Sequence, residues 1–377
     1  MNGSSLFLPY GRQSIHDDDI AAVVEALHSN WLTTGPAVER FEADVCAFTG
    51  AQYGVAVCNG TAALHAAMHA LDIGPGDEVI VPPMTFAATA NCVLYQGGTP
   101  VLADIEPDSL LIDPKTVEAA ITPRTKAIIG VDYAGQPCDW DALRVIADRH
   151  DLPLVADACH ALGAEYKGRK AGTLADISVF SFHPVKHITT GEGGMCMADD
   201  EHLARRMRVF RNHGITTTAS QREQAGGWFY EMTVLGYNYR ITDIQCALGS
   251  SQLKKLPGWL AKRNELAQAY DTAFAGTGIR PLAKKPDCLH AYHLYVVRVS
   301  ERDAMFKRLR QNGIGANVHY VPVHLHPYYR KTLGMKEGMC PAAEAAYEEI
   351  LTLPLWVGMH DADLVRVLTA IREYHGV

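Results

Sequence analysis

An α/β fold is predicted, with a large domain built on a mostly parallel sheet and a smaller α+β domain behind it. Three observations predict it. Short β-rich runs alternate with helical stretches from residue 54 onward, the texture changes near residue 250, and 377 residues suffice for two domains at roughly 100–200 residues each. The large domain, including an N-terminal arm, is placed at 1–250 and the small one at 251–377.

The runs come in order: VAVC at 55–58, EVIV at 78–81, PVLADI at 100–105, KAIIGVD at 126–132, PLVADA at 153–158, ISVFSF at 177–182 and GMCMA at 194–198. Strands separated by helices make βαβ units, which bury a sheet on both faces. Such sheets take ligands outside the carboxyl ends of their strands, so the residues after each run are candidates for a site. Beyond residue 250, a polar helical stretch from Gln252 to Phe274, a strand YVVRVS at 295–300 and a helix RDAMFKRLRQNG at 302–313 make up the small domain. There is no internal repeat and no low-complexity segment.

Composition removes several functions. Hydrophobic residues at 48% and charged residues at 20% are those of an ordinary globular chain, and a net charge of -8 offers no basic stripe to a nucleic acid. Met1 to Tyr10 lacks the basic flank and apolar stretch of a secretory signal, and no run nears the roughly 18 apolar residues of a spanning helix. A cytoplasmic protein without a membrane partner is expected. The nine cysteines are scattered without a C-x-x-C pair, so they are expected to be reduced and mostly buried, with neither a disulfide framework nor a metal site. His319, His324 and His326 have metal-like spacing, but no carboxylate partner or HExxH helix supports a metal, and a pocket lining is the preferred reading.

Three strand ends carry chemistry. Asn59, Gly60 and Thr61 follow the first run and open a helix, whose free N–H groups and dipole favour an anion such as phosphate; an ordinary helix capped by Thr61 is the alternative. Asp157 ends an apolar strand, where a carboxylate is costly unless a cation or several donors meet it. That cation is either a protonated pyridine nitrogen or a structural group. Lys186 leaves another strand end inside Ser181–Lys186, between Pro184 and the glycines of GEGG at 191–194. Most lysines are solvated surface groups, but one held away from water loses proton affinity, as an amine nucleophile requires. Anion cradle, aspartate and lysine on one sheet edge form the set that pyridoxal phosphate needs.

With these motifs in place, the chain is identified as similar to the DegT/DnrJ/EryC1/StrS sugar aminotransferases, built on the aspartate-aminotransferase (type I) fold. The resemblance runs from about Pro9 to the C-terminus through LTTGP (32–36), NGTAAL (59–64), PPMTFAATAN (82–91), ADACHALGA (156–164), SFHPVKHITTGEGG (181–194), GYNYRITDIQCALG (236–249) and NVHYVPVH (317–324). It implies that Gly60, Thr61 and Ser181 hold the phosphate of pyridoxal 5'-phosphate, Phe86 stacks on its ring, Asp157 pairs with the ring nitrogen and Lys186 is the catalytic lysine. His160 stands where most of the family has Gln, near the cofactor's ring hydroxyl. Members that also carry His there belong to the pseudaminic-acid pathway, and they share PYGRQ (9–13), SFHPVK and WFYEM (228–232). The resemblance to them implies glutamate as donor, 2-oxoglutarate as its product, and C4 of a UDP-linked 2-acetamido-2,6-dideoxy-hexos-4-ulose as acceptor.

By the same resemblance Tyr10, the loop Asn30, Trp31, Leu32 and Thr33, Asn238, and the stretch Val318, His319, Tyr320 and Val321 line the nucleotide-sugar pocket. Asn238 also reaches the cofactor of a neighbouring subunit, which implies a homodimer with shared active sites. An aminotransferase for another nucleotide-linked keto-sugar, of perosamine or bacillosamine type, is the alternative. A sugar 3-dehydratase of the family has His at the lysine position, and Lys186 argues against it. A non-catalytic regulator lacks support, since no helix-turn-helix or basic extension is present.

Overall fold

The computed structural model describes residues 7–224 and 226–375. Its centre is a seven-stranded sheet in the order β1-β9-β8-β5-β4-β2-β3. These strands are β1 (Tyr53–Val57), β2 (Glu78–Val81), β3 (Thr99–Leu102), β4 (Thr125–Val131), β5 (Leu154–Asp157), β8 (Ile177–Ser181) and β9 (Gly194–Ala198), with the two-residue strands β6 (Glu165–Tyr166) and β7 (Arg169–Lys170) between β5 and β8. Pairing is parallel from β3 through β2, β4 and β5 to β8. β9 alone runs against both neighbours, β8 and β1. No helix separates β8 from β9, and a strand that returns without a crossover can pair only antiparallel. β1, antiparallel to β9, therefore points the same way as β8 and β5, and all three end on one edge.

Alternate residues of each strand enter opposite cores, as the pleat requires. Ile80, Ile128, Leu154 and Phe180 belong to one cluster, and Val79, Ile129, Val155 and Val179 to the other. In chain order the helices of the large sheet are α1 (Asp17–His28), α2 (Pro36–Thr49), α3 (Gly60–Ala70), α4 (Ala88–Tyr95), α5 (Pro114–Ala120), α6 (Trp140–Arg149), α7 (Glu201–Phe210), α8 (Ala219–Gln224) and α9 (Asp243–Leu253). α2, α6 and α9 feed the first cluster, while α3, α4 and α7 feed the second.

The C-terminal part follows with α10 (Leu256–Phe274), β10 (Arg280–Pro281), β11 (Cys288–Leu289), β12 (Tyr295–Arg298), α11 (Arg302–Gln311), α12 (Pro327–Leu333), α13 (Pro341–Glu349), β13 (Ile350–Leu353) and α14 (Asp361–His375). The antiparallel sheet β10-β12-β13 carries a third core cluster with α10, α11 and α14, to which Leu8 adds. Leu8 is held there by its amide, which donates to the Gly313 carbonyl at 2.9 Å. The nine cysteines are unpaired, five of them buried. Among the described residues no helix is long and apolar enough to cross a membrane.

Candidate active site

The site is built where β1, β8 and β5 end. Gly194 of β9 pairs with Val57 on one side and Ser181 on the other, so one residue separates the ends of β1 and β8. That residue has to be glycine: a Cβ there would lie 2.5 Å from the carbonyl carbon and oxygen of Asn59 and 2.7 Å from the Gly60 nitrogen. A Cβ on Gly60 would in turn meet the Ser181 Cβ at 3.0 Å and the Cys159 sulfur at 3.2 Å. The first turn of α3 is thus set against Ser181 by two glycines. Asn59, and not Thr61, is the cap, its side-chain oxygen accepting from the Ala62 amide at 2.8 Å. Gly60 and Thr61 occupy the first helical positions, whose amides have no acceptor within a helix. Those two donors lie beside the Ser181 hydroxyl, an arrangement able to hold an anion.

Asp157, buried at 6% exposure, pairs in register with Val179, two residues before Ser181. Its carboxylate accepts from the Thr89 hydroxyl at 2.7 Å and the Cys159 amide at 3.2 Å. Thr89 is fixed by the Thr85 hydroxyl at 2.7 Å. Both donors are neutral, and among the described residues no salt bridge reaches Asp157. A buried carboxylate with only neutral partners suits a cationic N–H from a ligand.

Lys186 follows β8, and its amine lies 3.4 Å from the His293 Nε2. Removal from water pushes its proton affinity below that of an ordinary lysine, with Cys159 and Asp157 pulling the other way. Around it stands a wall of imidazoles. The His160 and His293 rings are 4.4 Å apart, and burial holds His160, His187 and His293 well below the usual imidazole range. His160 Nδ1 accepts from the Ala134 amide at 3.3 Å, which places the proton of the neutral ring on Nε2. That proton is donated to the Tyr320 hydroxyl oxygen at 3.0 Å, so the Tyr320 O–H is free to donate outward.

The other predicted residues fall into two groups. Phe86, 59% exposed, stands 6.0 Å from the Tyr320 ring. Tyr10 packs on His319 at 5.2 Å, and the His319 carbonyl accepts from the Tyr133 hydroxyl. Val318 and Val321, both partly buried, flank these rings along the chain. The structure therefore brings Tyr10, Phe86, His160 and the stretch 318–321 to the side of the site that holds Lys186. His319 and His324 turn to different partners, the Thr352 hydroxyl at 2.9 Å and Glu344 at 2.7 Å.

The second group is exposed. Leu32 and Thr33 are tied to the start of α9, through the Asp243 amide on the Leu32 carbonyl at 3.1 Å and a bridge between Thr33 and Thr242, and Asn30 and Trp31 are exposed beside them. Asn238 is exposed as well, on a segment held beside the end of β1 by the Cys58 amide, which donates to the Tyr239 carbonyl at 2.8 Å. Among the described residues neither set has a hydrogen bond to Lys186 or Ser181. Sequence reasoning did not single out Thr89, Tyr133 or His293. The only trace of His293 is a polar ring inside a stretch that leads into an apolar strand.

A partly buried amine of lowered proton affinity, a buried carboxylate whose donors are neutral and a helix start with free amides suit one molecule with the complementary groups. Pyridoxal phosphate has an aldehyde, a basic ring nitrogen and a phosphate, and the fold is that of the aspartate-aminotransferase type, so the class is that of pyridoxal-phosphate-dependent aminotransferases. Within that class the chain belongs to the DegT/DnrJ/EryC1/StrS aminotransferase family, whose model matches residues 13–372. It is 44% identical over 376 residues, 97% of each chain, to the spore coat polysaccharide biosynthesis protein SpsC of Bacillus subtilis (strain 168). Among solved structures it is similar to the PLP form of Spr1654 from Streptococcus pneumoniae, assigned as a sugar aminotransferase, at 35% identity and TM-score 0.92 over 97% of this chain and 98% of that one. Helicobacter pylori PseC, an aminotransferase involved in the biosynthesis of pseudoaminic acid, superposes with TM-score 0.91 at 32% identity, over 97% of this chain and 98% of that one.

Proposed function

We propose that the protein moves the amino group of glutamate to C4 of a UDP-linked 2-acetamido-2,6-dideoxy-hexos-4-ulose, a step toward pseudaminic acid, as a cytoplasmic homodimer. The observation that carries this reading is the His160–Tyr320 hydrogen bond beside Lys186, which leaves a hydroxyl able to donate to a sugar oxygen next to the amine. The likeness to PseC supports the sugar.

When bound, pyridoxal phosphate supplies an aldehyde carbon and an electron-accepting ring, which together make the Cα proton of an amino acid removable. The amides of Gly60 and Thr61 and the Ser181 hydroxyl would hold the phosphate, and Phe86 would stack on the ring. Asp157 would favour a proton on the ring nitrogen. Lys186 Nζ, with its proton affinity lowered by burial, takes the Cα proton of the donor as general base and returns a proton as general acid. Tyr10, the loop 30–33, Asn238 and the stretch 318–321 bind the nucleotide sugar, with Asn238 contributed across the dimer. The two domains meet near residue 250.

One observation favours a second reading. SpsC, at 44% identity a nearer relative than PseC at 32%, is a spore coat polysaccharide biosynthesis protein, so an aminotransferase for another nucleotide-linked keto-sugar, of perosamine or bacillosamine type, is the second reading. A panel of UDP-, dTDP- and GDP-linked keto-sugars assayed with glutamate decides between them. The UDP-linked 4-keto-6-deoxy sugar with a 2-acetamido group is expected to be aminated fastest, and a GDP- or dTDP-sugar turned over much faster hands the case to the second reading.

A further inference from the structure

His293 lies between β11 and β12, outside every motif that marks the site. The chain delivers it by backbone bonds to the turn after β4: the Ala291 amide donates to the Gly135 carbonyl at 2.9 Å and the Leu294 amide to the Ala134 carbonyl at 3.1 Å. Gly135, at φ 107°, makes the approach possible. A Cβ there would lie 2.8 Å from the Tyr292 nitrogen and 3.0 Å from the His293 nitrogen. The C-terminal part is thus pressed against the large sheet at the point that sets one imidazole over Lys186.

His293 is 5% exposed, and its Nε2 is 3.4 Å from the Lys186 amine. Its Nδ1 is buried with no hydrogen-bond partner among the described residues. A lysine ammonium has only donors, so the Nε2 of a neutral ring must accept. Lysine also has a long flexible stem, so an amine released from a covalent bond needs a partner to stay in place.

We propose that His293 is a positioning residue for Lys186: its Nε2 accepts a hydrogen bond from the lysine amine and holds that amine in the site whenever it is not covalently engaged. The proposal rests on the reading of Lys186 as the proton-moving lysine. It explains why a buried ring with no other hydrogen-bond partner among the described residues is built so close to a cationic group. Asp157 and Cys159 at the end of β5, His160 beyond them, His187 next along the chain, Arg263 of α10, and His319 and Tyr320 are the other titratable groups around the pair. None of the described hydrogen bonds gives the Lys186 amine an acceptor other than His293.

The test uses full-length protein loaded with pyridoxamine phosphate, in which Lys186 is free. Competitive acetylation followed by peptide mass analysis reads the proton affinity of Lys186 as a function of pH. His293→Leu keeps the site apolar but removes the acceptor that favours the ammonium, so its labelling midpoint should move to lower pH. On the pyridoxal-phosphate form, the single-turnover rate with glutamate should fall about 10–100-fold with little change in half-saturating glutamate. His293→Gln, whose carbonyl can still accept, should recover most of both losses. An unchanged midpoint and rate in the Leu variant, or a folded Gln variant as impaired as Leu, overturns the proposal. If Leu does not fold, His293→Asn, one methylene shorter than Gln, takes its place under the same criteria. Borohydride reduction and peptide mapping of the wild type keep the two readings distinct. An adduct on another lysine sinks the assignment of Lys186, whereas an adduct on Lys186 with indifferent His293 variants sinks only the present proposal.

Discussion

Asp157 shows how one residue's surroundings set its task. Its two donors, Thr89 and Cys159, are neutral, so among the described residues no salt bridge competes with the ring nitrogen proposed to face it. Asp157→Asn should leave the fold intact, because an amide is easier to bury than a carboxylate and can still accept from Thr89. Turnover should drop by about 100-fold or more, since a neutral amide no longer favours the protonated ring. Thermal unfolding and steady-state kinetics on the same preparation check both halves, and near-wild-type turnover would refute the role. Asp157 and Lys186 could be singled out in the sequence as candidates because they follow apolar runs on the edge of the sheet where ligands bind, with a structural partner left open for Asp157. His293 was not legible, because it approaches Lys186 through Gly135 and a turn more than a hundred positions away along the chain.

At the level of elements, the site depends on how α3 sits against β9 and β8. Strand and helix touch through Gly194 and Gly60, with no room for a Cβ at Gly194. Gly194→Ala forces either β9 or the start of α3 to shift, at a cost of roughly 1–3 kcal/mol. Because the shifted atoms are those of the anion cradle, affinity for pyridoxal phosphate should fall by about tenfold or more. Titration of dialysed protein with the cofactor reads this directly. Gly258→Ala on α10, where no atom lies within 4 Å of the new Cβ, serves as the control and should bind the cofactor as the wild type does. A Gly194→Ala variant with unchanged affinity would mean that the cradle does not hold the phosphate. Each strand of the large sheet could be read from its apolar run, yet the reversed direction of β9 could not. Direction depends on whether the connection crosses over, and GMCMA is as apolar as its parallel neighbours.

At the scale of the whole molecule, the loop 30–33 and Asn238 have no hydrogen bond to Lys186 among the described residues, and large apolar side chains are exposed on the segment before Asn238. Trp228 is 84% exposed, Leu235 76% and Met232 63%, on the segment that leads to Asn238. A second copy of the chain would cover them, in line with the proposed shared site, each site taking Lys186 from one chain and Asn238 from the other. If Lys186→Ala is mixed with an inactive Asn238 variant under conditions where subunits exchange, one site of each hybrid collects both lesions and the other collects none. With random reassortment roughly a quarter of wild-type activity should return. Proven exchange without recovery rules out the shared site. The amino-acid sequence by itself determined the α/β class, the succession of strands and the three strand ends that carry Gly60, Asp157 and Lys186, because apolar periodicity and local turn chemistry act over a few residues. Only the tertiary structure decided that Asn59 is the cap, that His160 and Tyr320 are hydrogen-bonded, that His293 lies beside the lysine and that Asn238 is exposed. Those facts depend on where distant segments pack, and packing is set by burial summed over the whole core rather than by any short stretch of chain.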